Sequence, residues 1–152
     1  MKFEDFAVGQ VFTSSFAITE QDFAAYISFA RTRNVLHENR ELAAREGIRG
    51  TLIPGRAIIA RAEGEMTRLA EFSGCVMLLY GMDGDPGWGG RQTRFMGEVY
   101  AGDALEARYR VAGKKNDDEE KYGILRIDYE IAKKGEARPA VVSRGNLYRI
   151  KK

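Results

Sequence analysis

Cysteine and histidine are nearly absent from this chain, which holds only Cys75 and His37. A single thiol excludes an intramolecular disulfide, and without a cluster of Cys and His the sequence offers no zinc site. The apolar neighbours of Cys75 favour a buried structural thiol over a nucleophile. Any imidazole chemistry near neutral pH must therefore use His37.

Long apolar runs and an excess of one charge are also lacking. The longest apolar run, residues 75–80, is far shorter than the roughly 20 residues of a membrane-spanning helix. The first residues, Met1 to Asp5, lack the apolar stretch of a secretion signal, so we expect a cytoplasmic protein with no membrane partner. The formal net charge is +2, with acids and bases interspersed, and this pattern does not indicate nucleic-acid binding.

The length and composition indicate one domain. The chain has 152 residues, of which 44% are hydrophobic and 30% charged, as is ordinary for a globular protein. We see no internal repeat and no linker, so we predict a single domain over residues 1–152.

The first third of the chain predicts a strand followed by helices. A strand is expected over residues 11–18, and a helix capped by Thr19 then runs to about Arg31. Residues 39–46 predict a short helix. Apolar side chains recur every three or four positions over residues 54–72, which predicts a long helix of roughly 28 Å.

The second half of the chain has the pattern of β-structure. Apolar and charged side chains alternate along two segments, and the charged run at residues 114–121 is typical of a hairpin loop. The predicted strands are residues 76–82, 91–100, 105–113, 122–133 and 139–150. This order predicts an α+β fold in which an antiparallel sheet packs on the long helix.

Two short stretches point to a family. Residues 31–37 read Arg-Thr-Arg-Asn-Val-Leu-His, and residues 50–55, at the start of the long helix, read Gly-Thr-Leu-Ile-Pro-Gly. They resemble the active-site region of the MaoC-like dehydratases, which include (R)-specific enoyl-CoA hydratases. Residues 94–105 also look like that family's Arg-Phe-x-x-Pro-Val-x-x-Gly-Asp-x-Leu strand and turn, so the resemblance covers roughly residues 3–150.

The first stretch departs from the family pattern at two positions. In the family it reads Asp-x-Asn-Pro-x-His, and Asn34, Leu36 and His37 match it in type and spacing. Thr32 stands at the aspartate position and Val35 at the proline position. A threonine hydroxyl does not ionise at neutral pH, so Thr32 cannot serve as a general base.

The resemblance implies a hot-dog fold, in which an antiparallel sheet wraps around a long central helix, and at least a dimer. It also implies hydration of enoyl thioesters. In that mechanism, amides at the start of the central helix polarise the thioester carbonyl while an Asp and His pair activates water. Pro54 would occupy the first helical position here. The amides of Gly55 and Arg56 in that first turn suit an enolate oxygen. We expect no metal and no cofactor.

We predict three catalytic residues: His37 as the acid and base, Gly55 as the amide donor, and Thr32 at the aspartate position. The missing carboxylate could be supplied by one of three other residues, which are Glu38, Asp83 and Asp85.

The predicted substrate-binding residues surround these groups. Asn34 would hold the His37 loop by hydrogen bonds, and Arg33 would either bind an anionic group of the substrate or remain solvated. Pro54 and Arg56 flank the amide donor. Trp88, in the glycine-rich segment 81–90, would cover an acyl pocket or pack on a partner subunit. A few local basic side chains could bind the phosphates of a ligand such as coenzyme A.

Three functions follow from this pattern. The first is a hydro-lyase acting on an enoyl thioester of coenzyme A or of a carrier protein. The second, motivated by Thr32, is a non-catalytic or supporting hot-dog subunit that binds acyl thioesters, or that pairs with a hot-dog partner subunit retaining Asp and His. The third is a thioesterase, which rests on fold analogy alone.

Overall fold

The computed structural model describes residues 1–83, 87, 89–116 and 121–152. The helices in these ranges are α1 Glu20–Ala30, α2 Val35–Glu38, α3 Arg40–Arg45 and α4 Gly55–Thr67. The strands are β1 Val11–Phe16, β2 Met77–Met82, β3 Thr93–Phe95, β4 Leu105–Asn116, β5 Tyr122–Lys133 and β6 Val141–Lys151. Single 3-10 turns lie at Phe3–Asp5 and Ala70–Phe72. None of the helices found in this part of the chain is long and apolar enough to cross a membrane.

The strands form one antiparallel sheet in the order β1-β4-β5-β6-β2, and β3 pairs with β6 beside this path. Along β4, buried and exposed side chains alternate from Leu105 to Arg110. Such alternation is expected when one face of the sheet packs on the core and the other meets solvent. The predicted α+β layout with an antiparallel sheet is confirmed.

Helix α4 packs on the apolar face of this sheet. Ala62 and Met66 of α4 are fully buried in the same core as the strand side chains. Two tyrosines fix the contact: the Tyr109 hydroxyl donates to the Ala62 carbonyl at 2.6 Å, and the Tyr148 hydroxyl donates to Glu63 Oε2 at 2.7 Å. Because the hydroxyls have acceptors, the tyrosines can be buried without an unpaired polar atom.

The long helix is shorter than its apolar pattern predicts. It begins at Gly55, with Pro54 as the cap rather than the first helical residue, and ends at Thr67 rather than residue 72. The Thr67 hydroxyl donates to the Gly64 carbonyl at 2.6 Å. Such a side-chain bond competes with the helical ladder, which explains the earlier end.

Two strand predictions also need correction. Only Thr93–Phe95 of the predicted strand 91–100 is a strand, because the amides of Met96 and Gly97 both donate to the Ala140 carbonyl and so break the ladder. Strand β4 extends to Asn116, into the charged run predicted as a loop. In that extension the Lys114 ammonium donates to the Phe6 carbonyl at 2.6 Å.

Candidate active site

Side-chain and backbone caps build the turn between α1 and α2. Helix α1 ends at Ala30 and is capped by Arg31, whose φ of 56° turns the chain while its amide donates to the Ile27 carbonyl at 2.8 Å. Asn34 begins α2: its Oδ1 accepts from the Leu36 amide at 3.0 Å, and its carbonyl accepts from the His37 amide at 2.9 Å. His37 therefore lies on a short helix rather than in the predicted loop. The hydrogen bonds expected of Asn34 are present.

The imidazole of His37 lies against Phe23 of α1, with ring centroids 6.0 Å apart and an angle of 49° between the planes. Its Nδ1 atom is buried and has no hydrogen-bond partner among the described residues. Leaving a buried polar atom unpaired costs about 1–3 kcal/mol. Because Nδ1 is closed to solvent, a water or a ligand reaches it only if the surrounding side chains move.

A cavity of about 70 Å³ lies beside this imidazole. Its polar lining includes Glu20 of α1, Arg40 of α3 and Thr51. The Thr51 hydroxyl donates to Glu20 Oε1 at 2.6 Å, while Arg40 Nη2 lies 3.4 Å from the Thr51 hydroxyl and 3.9 Å from Glu20 Oε1. The whole lining comprises Glu20, Phe23, Leu36, His37, Arg40, Ala43, Gly50, Thr51 and Leu52.

The start of α4 carries the predicted amide donors. The first intrahelical bonds run from the Ala57 and Ile58 amides to the Pro54 carbonyl, at 2.9 and 3.2 Å. The amides of Gly55 and Arg56 precede these bonds and lie at the positive end of the helix dipole.

Glycine at position 55 also has a packing role. A side chain there would collide with the ring of Phe95 on β3, whose Cδ1 lies 2.7 Å from the place that a Cβ would take. Phe95 is itself half exposed. The aromatic ring and the first turn of α4 are therefore adjacent, a contact that the sequence did not reveal.

A second pocket, of about 250 Å³, lies between α1 and α4. Phe23 lines both this groove and the His37 cavity, and Ile53 and Ala57 in the groove wall flank Gly55 in the chain. The His37 cavity and the groove beside the start of α4 are therefore joined by one side chain that lines both, Phe23. The lining of the groove is mainly apolar and comprises Ile18, Asp22, Phe23, Tyr26, Ile53, Ala57, Ala60 and Arg61.

An ion pair forms the polar part of this groove. Arg61 Nη2 lies 2.7 Å from Asp22 Oδ2. The backbone amide of Thr19, together with the Arg61 guanidinium, holds the pKa of Asp22 below its ordinary value of 3.8. Asp22 therefore stays ionised, and the guanidinium is neutralised within the groove.

Other predicted site residues lie away from the His37 cavity. Thr32, Arg33 and Asn34 are not in its lining, and Arg33 is 86% exposed with Nε 3.4 Å from Glu38 Oε1. Arg56 is exposed. Trp88 lies outside the described residues.

The carboxylates predicted to replace the aspartate are differently placed. Glu38 pairs with Arg33, and Asp83 lies in another pocket, with Oδ2 3.8 Å from Arg126 Nη1. Asp85 lies outside the described residues. Glu20 is the carboxylate in the His37 cavity, and the sequence prediction missed it. Its one available signal was its spacing of three residues from Phe23, which places both on one face of α1.

Within residues 1–83, 87, 89–116 and 121–152, no group of three or more His, Cys, Asp or Glu side chains could hold a metal ion. The chemical groups in the cavity are thus one imidazole, one carboxylate, one hydroxyl and one guanidinium. This set can move protons and orient a water molecule.

No protein-family model matches the chain, and no curated protein matches it either. Solved structures do. An (R)-hydratase from A. caviae involved in PHA biosynthesis matches with a TM-score of 0.69 at 19% identity, over 98% of this chain and 98% of that one. A MaoC-like dehydratase from Rhodospirillum rubrum matches with a TM-score of 0.71 at 16% identity, over 100% of this chain and 98% of that one.

A third structure supplies the name of the fold. A protein from Mycobacterium tuberculosis described as a double hot-dog fold matches with a TM-score of 0.71 at 20% identity, over 99% of this chain and 43% of that one. At such identities the likeness establishes the architecture and leaves the activity to separate argument. The chain adopts the hot-dog fold, and its structural neighbours include MaoC-like dehydratases and (R)-hydratases, as the motifs in the sequence predicted.

Proposed function

We propose that this protein is a hydro-lyase that adds water to the double bond of an enoyl thioester, and catalyses the reverse dehydration of a 3-hydroxyacyl thioester. The observation that carries the proposal is that His37 lines a cavity that shares Phe23 with the apolar groove beside the start of α4. The neighbours described as an (R)-hydratase and a MaoC-like dehydratase support the same reaction class.

His37 acts as the acid and base. Its imidazole takes a proton from water as the oxygen bonds to C3 of the enoyl thioester. The same imidazole then delivers that proton to C2. A positioned group of this kind is worth about 10²- to 10⁴-fold in rate.

The amides of Gly55 and Arg56 stabilise the enolate oxygen that forms on the thioester. They are free of intrahelical bonds and carry the positive end of the α4 dipole. Pro54 sets the start of this turn. The groove between α1 and α4 receives the acyl chain, because its lining is mainly apolar.

The thioester carrier is coenzyme A or a carrier protein in the cytoplasm. Arg33 and Arg56 are the proposed contacts for its anionic groups, since both side chains are exposed. Trp88 remains the proposed cover of the acyl chain.

The test follows loss of the enoyl-thioester absorbance with short, medium and bulky acyl-CoA substrates. His37→Ala should lower kcat/KM by about 10²- to 10⁴-fold. Arg45→Ala is the matched control, because Arg45 lies on neighbouring α3 and pairs with exposed Glu41. Hydration that persists in His37→Ala eliminates this assignment. Thiol release without hydration would favour the thioesterase.

A supporting subunit that binds acyl thioesters without turning them over is the second candidate. Thr32 in place of a carboxylate favours it, and so does the Phe95 ring against the first turn of α4. Under this alternative the unmodified chain is inactive. Activity created by Thr32→Asp would then show an otherwise intact site, and no gain would indicate a pocket that does not align substrate.

We also propose a homodimer formed through β2. This strand lies at one end of the sheet, and Leu78, Leu79, Tyr80 and Met82 on it are each at least half exposed. An apolar edge strand is a template for pairing with another chain. Sedimentation should therefore give a dimer, and Leu79→Lys should shift it toward the monomer. A monomeric unmodified protein would contradict this proposal.

A further inference from the structure

The carboxylate of Glu20 and the imidazole of His37 face one small cavity. Glu20 is the first residue of α1, and Phe23 follows it on the same face one turn later. The His37 ring packs on Phe23 with ring centroids 6.0 Å apart, and Glu20 lies one helical turn from Phe23. Thr51 completes the cavity wall beside Glu20.

Glu20 is held in place by contacts that leave one oxygen available. The Thr51 hydroxyl and the Arg40 guanidinium both approach Oε1, at 2.6 and 3.9 Å. Both contacts are to Oε1, and the Glu20 side chain is 62% exposed, so water reaches the carboxylate. The start of α1 does not depend on Glu20, because the Thr19 hydroxyl caps the helix through the Asp22 amide.

The cavity has the size and polarity of a water site. A water molecule needs roughly 10–15 Å³ of such space and at least two polar partners. The cavity offers about 70 Å³, with Glu20, Thr51 and the imidazole in its lining. It therefore has room for a water molecule, with Glu20 and His37 both in its wall.

No other candidate carboxylate has this placement among the described residues. Glu38 pairs with Arg33, and Asp83 pairs with Arg126 in a different pocket. Neither lines the His37 cavity.

We propose that Glu20 supplies the carboxylate of this site by binding the water that His37 activates. This inference rests on the proposed hydration. Glu20 accepts a hydrogen bond from one O–H of the water, and His37 takes the proton of the other O–H as the oxygen bonds to C3. The electron pair of the C2–C3 double bond moves to C2, which recovers the proton from the imidazolium. The negative charge of Glu20 stabilises that imidazolium while it exists.

The test compares three variants of the full chain with crotonyl-CoA as the probe. Glu20→Gln keeps the shape but removes the charge, and we expect kcat to fall about 10²-fold while KM changes little. Glu41→Gln is the matched control, because Glu41 is an exposed carboxylate on α3 that pairs with Arg45 at 3.1 Å. It should retain full activity. Glu38→Gln tests the competing carboxylate and should also remain active.

A second measurement uses the single histidine, whose carbon-bound imidazole protons give one set of NMR signals. Those signals should move in Glu20→Gln and stay in place in Glu41→Gln. Unmoved signals in Glu20→Gln, or full activity in that variant, overturn the role of Glu20 and leave the hydratase proposal standing. So does activity lost in Glu38→Gln but kept in Glu20→Gln. Absence of hydration by the unmodified chain overturns both proposals.

Discussion

The sheet with α4 and the segment from α1 to α3 differ sharply in burial. Residues such as Leu125, Ile127 and Tyr129 in the sheet are completely buried. In contrast, α1 and α2 contain no fully buried residue, and α3 contains one, Ala43. The His37 cavity is lined mainly by the less buried segment.

The two regions are also held by different forces. The sheet is stabilised by apolar burial, whereas the helices near His37 begin at side-chain caps. Thr19, Asn34 and Asn39 each accept a hydrogen bond from an amide of the following turn. Capping bonds contribute about 1 kcal/mol each, which is small beside the burial of large apolar side chains in the sheet. Stability and activity should therefore respond to changes in different regions.

The largest effect on stability is expected from the sheet. Ile127→Ala removes a fully buried side chain opposite Val111 on β4 and should lower the free energy of unfolding by about 2–5 kcal/mol. Ile127→Val should cost about 0.5–1.5 kcal/mol. Urea denaturation measures both. Hydration per folded molecule should not change, and a loss in parallel with stability would contradict the separation of the two regions.

Tyr148→Phe tests the polar contact between the sheet and α4. The Tyr148 hydroxyl bonds to Glu63 and to the Tyr129 hydroxyl. Burial raises the pKa of Tyr148 and Tyr129 well above the ordinary value, so both remain neutral donors. Removing this hydroxyl leaves its hydrogen-bond partners unpaired and should lower the free energy of unfolding by about 1–3 kcal/mol.

The matched control for that variant is Tyr122→Phe on β5. The ring of Tyr122 lies under the Arg149 guanidinium, and this contact survives the change. The unfolding free energy of Tyr122→Phe should stay close to that of the unmodified chain. Equal losses of unfolding free energy in Tyr148→Phe and Tyr122→Phe would show that the buried Tyr148 hydroxyl contributes no more to stability than the Tyr122 hydroxyl.

The sheet was largely predictable from the sequence because a strand with one wet face alternates with a period of two. Leu105 to Arg110 shows that alternation, and the structure follows it. The failures have two causes. The end of β3 depends on a tertiary hydrogen bond to the Ala140 carbonyl, whereas the end of α4 depends on a local bond from the Thr67 hydroxyl to the Gly64 carbonyl, which the spacing of apolar residues does not register.

The site was only partly predictable. His37, Asn34 and the helix start at Gly55 follow from short motifs, which local sequence carries. Glu20 was missed because its closeness to the cavity depends on how α1 packs against Thr51, more than 30 residues away. Helix α2 was missed although Asn34 is a favourable cap.

A smaller effect is expected from Asp22, which links α1 to α4 through Arg61. Its pKa is lower in the folded protein than the ordinary 3.8, so the unfolded chain binds more protons in acid. The stabilising contribution is thus present above the unfolded pKa and is lost as the pH falls through the folded pKa. Solvent screening keeps it small, since the Asp22 side chain is 37% exposed.

Asp22→Asn should therefore be less stable than the unmodified chain near neutral pH, and the difference should shrink below pH about 4. Denaturation at a series of pH values measures this. Glu4, an exposed acid remote from Arg61, provides the control as Glu4→Gln, which should show no such convergence. A difference that grows in acid would contradict the sign of the coupling.

The smallest effect is expected at Phe29 on α1, which is 89% exposed although it is a large apolar residue. Because its side chain buries almost nothing within the chain, Phe29→Ser should change the free energy of unfolding by no more than about 0.5 kcal/mol. The contrast with Ile127→Ala would then measure the difference between the two regions directly. A loss above about 1 kcal/mol, which exceeds what an uncovered surface position gives, would mean that a second copy covers this helix. Repeating the denaturation at several protein concentrations tests that explanation, because only a contact between copies makes the loss concentration-dependent.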